Sequence, residues 1–385
     1  MKIGIVTPYF TPYINGNEYG LAKSLSSLGH EITVISSTAK APREKKVVDS
    51  KSPSARSSSA SPELSFSVNY LPTLLDFTDN PIVSVDKHFF KDYDILMLQE
   101  DYPSICHQVY RAAKKYGIPL VLSSERTYYP KNYLKLCPLK VLDFTINKIL
   151  RNGVDVLTAH CTAAKTFMAK ELGVKREIRV INVGVDSEVF KPLVVANKYL
   201  PKGSPKILTV ARLHEYKGLE YLIKAMKKVI QNIPEAHLYI MGKGPLEQNL
   251  KKLTETLDLE EYITFISESI PNSKMPELYA ECDVYVQSSI IEPYGIAVLE
   301  AMACGKPVVG TSVGGMIDTI KDEECGFLVD PADSSQLAEK LLLFKDKALC
   351  ESFGRAARSR VKDKFDWINI VHEYQKILEE LCRDK

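Results

Sequence analysis

The chain has 385 residues, 45% hydrophobic and 25% charged, too long for one ordinary core and well suited to two in a soluble globular protein. Its 50 Lys and Arg stand against 48 Asp and Glu, a formal net charge of +2 that gives no reason to expect nucleic acid as a partner. No stretch is long and apolar enough to cross a bilayer, and the eight cysteines form no C-x-x-C pair. Zinc and disulfide spacings are therefore absent, and reduced thiols in the cytoplasm are expected.

From the N-terminus, residues 3–7 read as a strand that Pro8 ends, too short for the apolar core of a signal peptide. Further strands are predicted at 31–36, 95–98, 119–122, 154–158 and 178–181, with helices at 18–28, 104–116, 139–151 and 162–172. Residues 41–62 are rich in Lys and Ser and carry Pro42 and Pro53. They cannot bury enough apolar area to offset their ordering entropy, and a mobile surface loop is expected. The stretch 193–205, with Pro201, Gly203 and Pro205, has little periodicity and reads as a linker. Beyond it, strands at 207–210, 237–241, 262–266, 284–286 and 307–309 alternate with helices. The first of these helices lines up Leu219, Leu222, Ile223, Met226, Val229 and Ile230 on one face. Continuous apolar strands separated by helices imply parallel sheets covered on both faces. Two such runs suggest two Rossmann-like doubly wound domains, 1–192 and 206–364, across a cleft. In the last segment, 365–385, Trp367, Ile370, Tyr374, Ile377, Leu378 and Leu381 share one helical face.

In open parallel sheets ligands bind beyond the carboxyl ends of the strands, so the strand-to-helix loops carry the chemistry. The richest is Glu292-Pro293-Tyr294-Gly295-Ile296, running into a helix that bears Glu300. The free N–H groups and dipole of that helix start suit a phosphate, Gly295 lets the ligand approach the backbone, and the flanking carboxylates suit sugar hydroxyls. Glu300 is placed for a ribose diol and Glu292 for a transferred sugar; a capped helix with solvated glutamates is the competing account. In the loop from Arg212 to Gly218, Arg212 and Lys217 can neutralise a departing diphosphate, or be two solvated charges. Gly242 and Gly244, directly after a strand, resemble part of a glycine-rich nucleotide loop but fit a plain turn equally well. Gly16, before the first helix, can admit a diphosphate from the opposite side of the cleft or be an ordinary loop glycine. No His, Asp and Glu cluster has metal-ligand spacing, and neither a Ser nucleophile elbow nor a Cys-His signature is present.

Together these stretches resemble glycosyltransferase family 4, also called glycosyl transferases group 1. The resemblance is strongest in ILTVARLHEYKGLEYLIKA, YIMGKGP, YVQSSIIEPYGIAVLEAMACGKPVVGTSVGG and CGFLVDPAD, between residues 207 and 333. Weaker stretches are IVTPYFTPYINGNEYGLAKSLSSLGHEITVIS and VINVGVDSEVFKP. The resemblance implies a GT-B fold, with the donor held mainly by the C-terminal domain and neither metal nor cofactor required. It also implies a retaining transfer from a nucleotide-diphosphate-sugar, with the leaving phosphate able to take the acceptor proton. By the same resemblance Arg212, Lys217 and the backbone of Tyr294, Gly295 and Ile296 would bind the diphosphate. Glu300 would hold the ribose, Glu292 the donor sugar, and Gly16 would lie in a first-domain loop closing on the diphosphate. Residues 365–385 would form a helix crossing back to the first domain.

Three positions depart from the family pattern: Asn15 stands for the first of paired glycines, Glu125 for a first-domain His, and Asp318 for a Glu after Gly314-Gly315. The acceptor expected is a glycan or lipid-linked hydroxyl in cell-surface polysaccharide or glycoconjugate synthesis. The basic segment 131–151, with Leu139, Leu142, Ile146 and Ile149 on one face, is a candidate peripheral contact with the inner face of a membrane, or an ordinary core-facing helix. A nucleotide-sugar epimerase, a sugar phosphorylase and a non-catalytic nucleotide-sugar-binding partner are the rival readings.

Overall fold

The computed structural model describes residues 1–12, 16–40, 64–77, 80–130, 133–194 and 197–383. The expected mobile loop at 41–62, Asn15 and Lys131 lie outside the described residues.

The first half supplies β1 (Lys2–Val6), α1 (Asn17–Ser27), β2 (Glu31–Ser37), β3 (Ser67–Leu71), β4 (Thr73–Phe77), β5 (Asn80–Val83) and β6 (Ile95–Gln99). It continues with α2 (Ser104–Tyr116), β7 (Leu120–Ser124), α3 (Tyr133–Phe144), α4 (Ile146–Gly153), β8 (Val156–Ala159), α5 (Thr162–Lys170) and β9 (Arg179–Val180). Seven of these strands form one parallel sheet, in the order β3-β2-β1-β6-β7-β8-β9. Strands β4 and β5 form a separate antiparallel hairpin. The central strands β6 and β7 are buried along their whole length, as helices on both faces require.

The second half begins with β10 (Lys206–Val210), α6 (Leu219–Asn232), β11 (His237–Met241), α7 (Glu247–Thr256), β12 (Ile263–Ile266), α8 (Met275–Glu281) and β13 (Val284–Gln287). Then come α9 (Ile296–Ala303), β14 (Val308–Thr311), α10 (Met316–Thr319), β15 (Gly326–Val329), α11 (Ser334–Leu343), α12 (Lys347–Arg360) and α13 (Trp367–Arg383). The six strands form a second parallel sheet, β12-β11-β10-β13-β14-β15, whose order reverses between β10 and β13. That switch opens a crevice at the carboxyl ends of β10 and β13, where the Lys217 and Glu292 loops leave the sheet. The segment joining the halves is fixed to the second: the Glu281 carboxylate accepts the amides of Lys198, Tyr199 and Leu200 at 2.9, 2.8 and 2.7 Å.

Helix α13 returns to the first half. The Trp367 indole packs on Gly20 of α1 and on Gly184, and a Cβ at either glycine would collide with it. Residues 185 and 366 bridge through Trp367 N–H to Val185 O and Val185 N–H to Phe365 O, and Arg179 pairs with Glu380 at 2.6 Å.

The single helix expected over 139–151 is two. Helix α3 starts at Tyr133, carries Pro138 inside it, and ends where Thr145 leaves helical geometry at φ −118°, ψ −100°. The Thr145 hydroxyl donates back to Val141 O at 2.6 Å, a competitor to the backbone ladder. The apolar face read from the sequence splits as well, Leu142 half-buried while Ile146 and Ile149 are exposed. Arg151, counted among the basic surface residues, is 1% exposed and pairs with Asp101 and Asp143.

Candidate active site

Two loops of the second sheet lie side by side. The amides of Ile290 and Ile291 donate to Tyr216 O at 2.8 and 3.1 Å, and Ser288 Oγ donates to Lys217 O at 3.1 Å. Gly218, at φ +59°, makes this approach feasible, because a Cβ there would overlap Ser288 O. The result sets Lys217 Nζ 2.6 Å from Glu292 Oε2. The same oxygen accepts Ser289 Oγ at 2.8 Å and Gln287 Nε2 at 3.1 Å, and Gln287 is oriented by the Tyr285 hydroxyl at 2.8 Å. Glu292 is 6% exposed, and its other oxygen, Oε1, has no protein partner among the described residues. A buried carboxylate with one saturated and one free oxygen is held rigidly and still offers an acceptor to a ligand hydroxyl.

Gly295 caps α9 at φ +94°, ψ +51°. The amides of Gly295 and Ile296 have no hydrogen-bond partner among the described residues, leaving an open helix start. Gly314 and Gly315 support this loop from beneath. A Cβ on Gly314 would overlap Glu292 O, one on Gly315 would lie 2.7 Å from the Tyr294 ring, and Gly315 N–H donates to Pro293 O at 3.0 Å. The Tyr294 side chain is buried and reaches the first half, donating to Val183 O at 3.3 Å.

Glu300, in the second turn of α9, accepts the Tyr279 hydroxyl at 2.7 Å; burial raises its pKa to about 7 against the lowering effect of that bond. Arg212 is exposed and has no ion pair among the described residues. Its loop is laid against the turn after β11, Ala211 N–H to Met241 O and Leu213 N–H to Lys243 O, both 3.0 Å. Gly242 and Gly244 permit that approach, since a Cβ on either would overlap backbone of residues 211–213. Close packing of the Arg212 loop accounts for both glycines.

On the first sheet, Gly16 precedes α1 in extended geometry, and the first helical turn already holds a carboxylate. Glu18 accepts the Thr7 hydroxyl at 3.3 Å, and burial raises its pKa. This helix start, like that of α9, has no side-chain cap, but a carboxylate stands in its first turn. The buried His160 takes Asn17 Nδ2 on Nε2 at 3.0 Å and gives its Nδ1 proton to Ile181 O at 3.2 Å, so it is neutral; burial drops its pKa to about 4. It ties the start of α1 to the end of β8.

Glu125 follows β7 and faces the second sheet. Its side chain is exposed to the crevice, where the surrounding protein, then the negative charges of Glu18 and Glu292, raise its pKa. Its amide donates to Glu100 Oε1 at 2.6 Å, and Ser124 Oγ to Glu100 Oε2 at 2.9 Å. Glu100 sits at φ +71°, and burial, reinforced by Asp101 and Glu125, raises its pKa to about 8. Next along the chain, Arg126 forks onto Asp143 at 3.1 and 2.6 Å, among the rings of Tyr102, Tyr129 and Phe167. Burial would raise the Asp143 carboxyl, but Arg126, Asn147 and Arg151 hold it below its usual range. Asp318, in the place of a Glu, caps α5 across the crevice, accepting Thr162 N–H at 2.5 Å. Sequence reasoning missed Glu18, Glu100, the His160–Asn17 pair and the Arg126 network, whose partners are far apart in the chain and follow no spacing. Among the described residues no three His, Cys, Asp or Glu side chains are grouped to hold a metal ion.

Two parallel α/β sheets with a crevice between them define the GT-B fold. The solved sucrose-phosphate synthase of Thermosynechococcus elongatus shares this fold, with a TM-score of 0.79, 19% identity and coverage of 100% of both chains. The family model Glycosyltransferase Family 4 matches residues 19–189 and Glycosyl transferases group 1 matches 194–360. The chain belongs to the glycosyl transferases group 1, or glycosyltransferase family 4. It is 30% identical to sulfoquinovosyl transferase SQD2 of Arabidopsis thaliana over 269 residues, 66% of this chain and 50% of that one. It is 27% identical to N-acetyl-alpha-D-glucosaminyl L-malate synthase of Bacillus anthracis over 250 residues, 63% and 65% of the two chains. The matched part thus spans about half to two thirds of these relatives' length.

Proposed function

We propose that the chain transfers a sugar, with retention of configuration, from a nucleotide-diphosphate-sugar to a hydroxyl acceptor. The observation that carries this reading is the Lys217–Glu292 ion pair beside the open start of α9. Bound there, a diphosphate receives the Gly295 and Ile296 amides, the positive end of the helix and the Lys217 ammonium, with Arg212 free to swing onto it. Glu292 Oε1 and Glu125 accept hydroxyls of the donor sugar from opposite sides, and Glu300 accepts the ribose diol. As the sugar carbon loses the phosphate, the fixed cations and amides stabilise the growing charge. The leaving phosphate oxygen takes the acceptor proton. In this scheme residues 206–364 form the donor side and 1–192 the acceptor side, and Tyr294 and Asp318 link them. Arg212, Lys217 and α9 provide the charge stabilisation, so no metal or cofactor is assigned a part and chelator leaves the rate unchanged. The names of both curated relatives, a transferase and a synthase of glycosyl compounds, agree with this chemistry.

The acceptor we assign is a glycan or a lipid-linked sugar, with the chain on the cytoplasmic face of a membrane. Support comes from the α3–α4 surface, where Val141, Phe144 and Ile149 are 64%, 55% and 62% exposed beside exposed Lys140 and Lys148. Among the described residues no helix is long and apolar enough to cross the bilayer.

The test is a panel of nucleotide sugars screened by thermal shift, followed by NMR of the product anomeric centre. The account expects one donor to raise Tm and the product to keep the donor's anomeric configuration. Nucleotide diphosphate released only when acceptor is present separates transfer from epimerisation. An inverted product ends the retention claim.

A further inference from the structure

Strand β6 ends in a strained residue. Glu100 lies at φ +71°, in the left-handed region that a residue with a side chain enters at a cost. Such strain persists where the surrounding contacts over-determine it, and it concentrates at functional sites. Here the contacts run to one turn. Glu100 N–H donates to Ser123 O at 2.8 Å, its Oε2 accepts Ser124 Oγ at 2.9 Å, and its Oε1 accepts the Glu125 amide at 2.6 Å. Three successive residues at the end of β7 are therefore bound by one residue at the end of β6. The pairing of β6 with β7 is complete at Gln99 and Ser123, so the Glu100 side chain acts on the turn beyond the sheet.

The grip continues along that turn. Ser124 Oγ also accepts the Arg126 amide at 3.3 Å, and the Arg126 guanidinium donates to Asp101 Oδ1 at 3.4 Å besides its fork onto Asp143. Between the buried Ser124 and the half-buried Arg126, Glu125 is exposed, and the charges that act on it are Glu18 of α1 and Glu292 of the second sheet. Its backbone is pinned while its carboxylate stands in the crevice. Either protonation state of the Glu100 carboxyl offers Oε1 to the Glu125 amide.

We propose that Glu100 is a positioning residue for the transfer: its carboxyl holds the Glu125 amide and the Ser124 hydroxyl, and so aims the Glu125 carboxylate at the donor sugar across from Glu292. This rests on the transfer reading above, in which Glu125 accepts a hydroxyl of that sugar.

The experiment is calorimetry on the full chain with whichever of UDP-glucose, UDP-galactose, UDP-N-acetylglucosamine and GDP-mannose raises Tm most, and with its nucleoside diphosphate alone. Glu100→Gly removes the carboxyl from a backbone that glycine adopts freely. Glu100→Asn, tolerant of the same backbone but one methylene shorter, repeats the test. Both are expected to weaken the donor about tenfold, the size of a lost hydrogen bond to a charged group, while the diphosphate Kd shifts less than twofold. Glu125→Ala is expected to do the same. The double variant Glu100→Gly with Glu125→Ala is expected to bind the donor within twofold of Glu125→Ala, because Glu100 acts through Glu125. Glu100→Gln, whose side-chain carbonyl still accepts the Glu125 amide, is expected to stay within threefold of the parent. The proposal falls if Glu100→Gly and Glu100→Asn bind the donor as the parent does while Glu125→Ala does not, or if they weaken donor and diphosphate alike. It also falls if the two losses multiply in the double variant, or if Glu100→Gln binds as weakly as Glu100→Gly. Full donor affinity in Glu125→Ala takes Glu125 out of the transfer reading and this proposal with it. A parent that binds no nucleotide removes the transfer reading altogether.

Discussion

Glu292 and Lys217, 75 residues apart in sequence, share one short ion pair in which a single carboxylate oxygen takes the ammonium at 2.6 Å and two neutral donors besides. The pair is nearly dry, with side chains 14% and 8% exposed, so its two members cannot be removed independently. Lys217→Ala leaves a buried uncompensated carboxylate and is expected to destabilise the fold by about 3 kcal/mol. It should also lower kcat/KM by at least about a thousandfold, the size of a lost charge-stabilising group. The double variant Lys217→Met with Glu292→Gln removes the stranded charge, so denaturant unfolding should recover most of the stability while activity stays lost. Recovery of both would mean the pair is structural only.

The loop beneath Glu292 tolerates no side chain. Gly314 sits at φ +54° with Glu292 O where its Cβ would be, so Gly314→Ala must push the Glu292–Tyr294 loop outward. The expected result is a loss of donor affinity of tenfold or more, read by calorimetry. Gly117 is the control, also left-handed at φ +66° but with open space around it. Gly117→Ala is expected to cost about 1 kcal/mol through backbone strain and to leave donor affinity alone.

Donor binding should depend on pH through Glu300. Burial holds its carboxyl near a pKa of about 7, and only the ionised form fully accepts a ribose diol. Nucleotide affinity is therefore expected to rise from pH 5.5 to 8, and Glu300→Gln should flatten that profile. A profile unchanged by Glu300→Gln assigns the titration to another group.

Stability carries the opposite slope. Glu100, whose carboxyl burial raises to about 8, binds its proton more tightly folded than unfolded. Its contribution is full below the ordinary carboxylate range near 4.5 and is lost as pH rises toward 8. Glu100→Gln should make Tm fall less steeply between pH 5 and 8 than in the parent.

The only tryptophan of the chain is both an anchor and a probe. Trp367 fills the space left by Gly20 and Gly184, so Trp367→Ala is expected to cost about 3–5 kcal/mol by opening a cavity. In the parent, Trp367 fluorescence should report the detachment of α13 from the first sheet.

Much of the architecture was legible because parallel strands buried on both faces leave continuous apolar runs, such as 95–98 and 237–241. The turn before α9 was legible because an open helix start with the backbone packed this closely needs Gly295, and its residues fall in one short stretch. The Asp101, Arg126, Asp143 and Arg151 network was not, since four charges from separate elements leave no periodic trace and Arg151 looked like a surface cation. The hairpin β4–β5 escaped notice too: Pro81 lies inside β5, and the apolar Leu74, Leu75 and Ile82 stay exposed, so its residues give no clear alternation to read. The raised carboxyls of Glu18 and Glu100 depend on tertiary packing, which composition does not encode.

The central claim is that a diphosphate sits on the α9 start beside Lys217. A crystal structure with UDP or GDP bound tests it most directly. The account predicts a phosphate oxygen within hydrogen-bond distance of the Gly295 or Ile296 amide and of Lys217 Nζ, with the ribose on Glu300. Diphosphate density elsewhere, with those groups still unliganded, would contradict it.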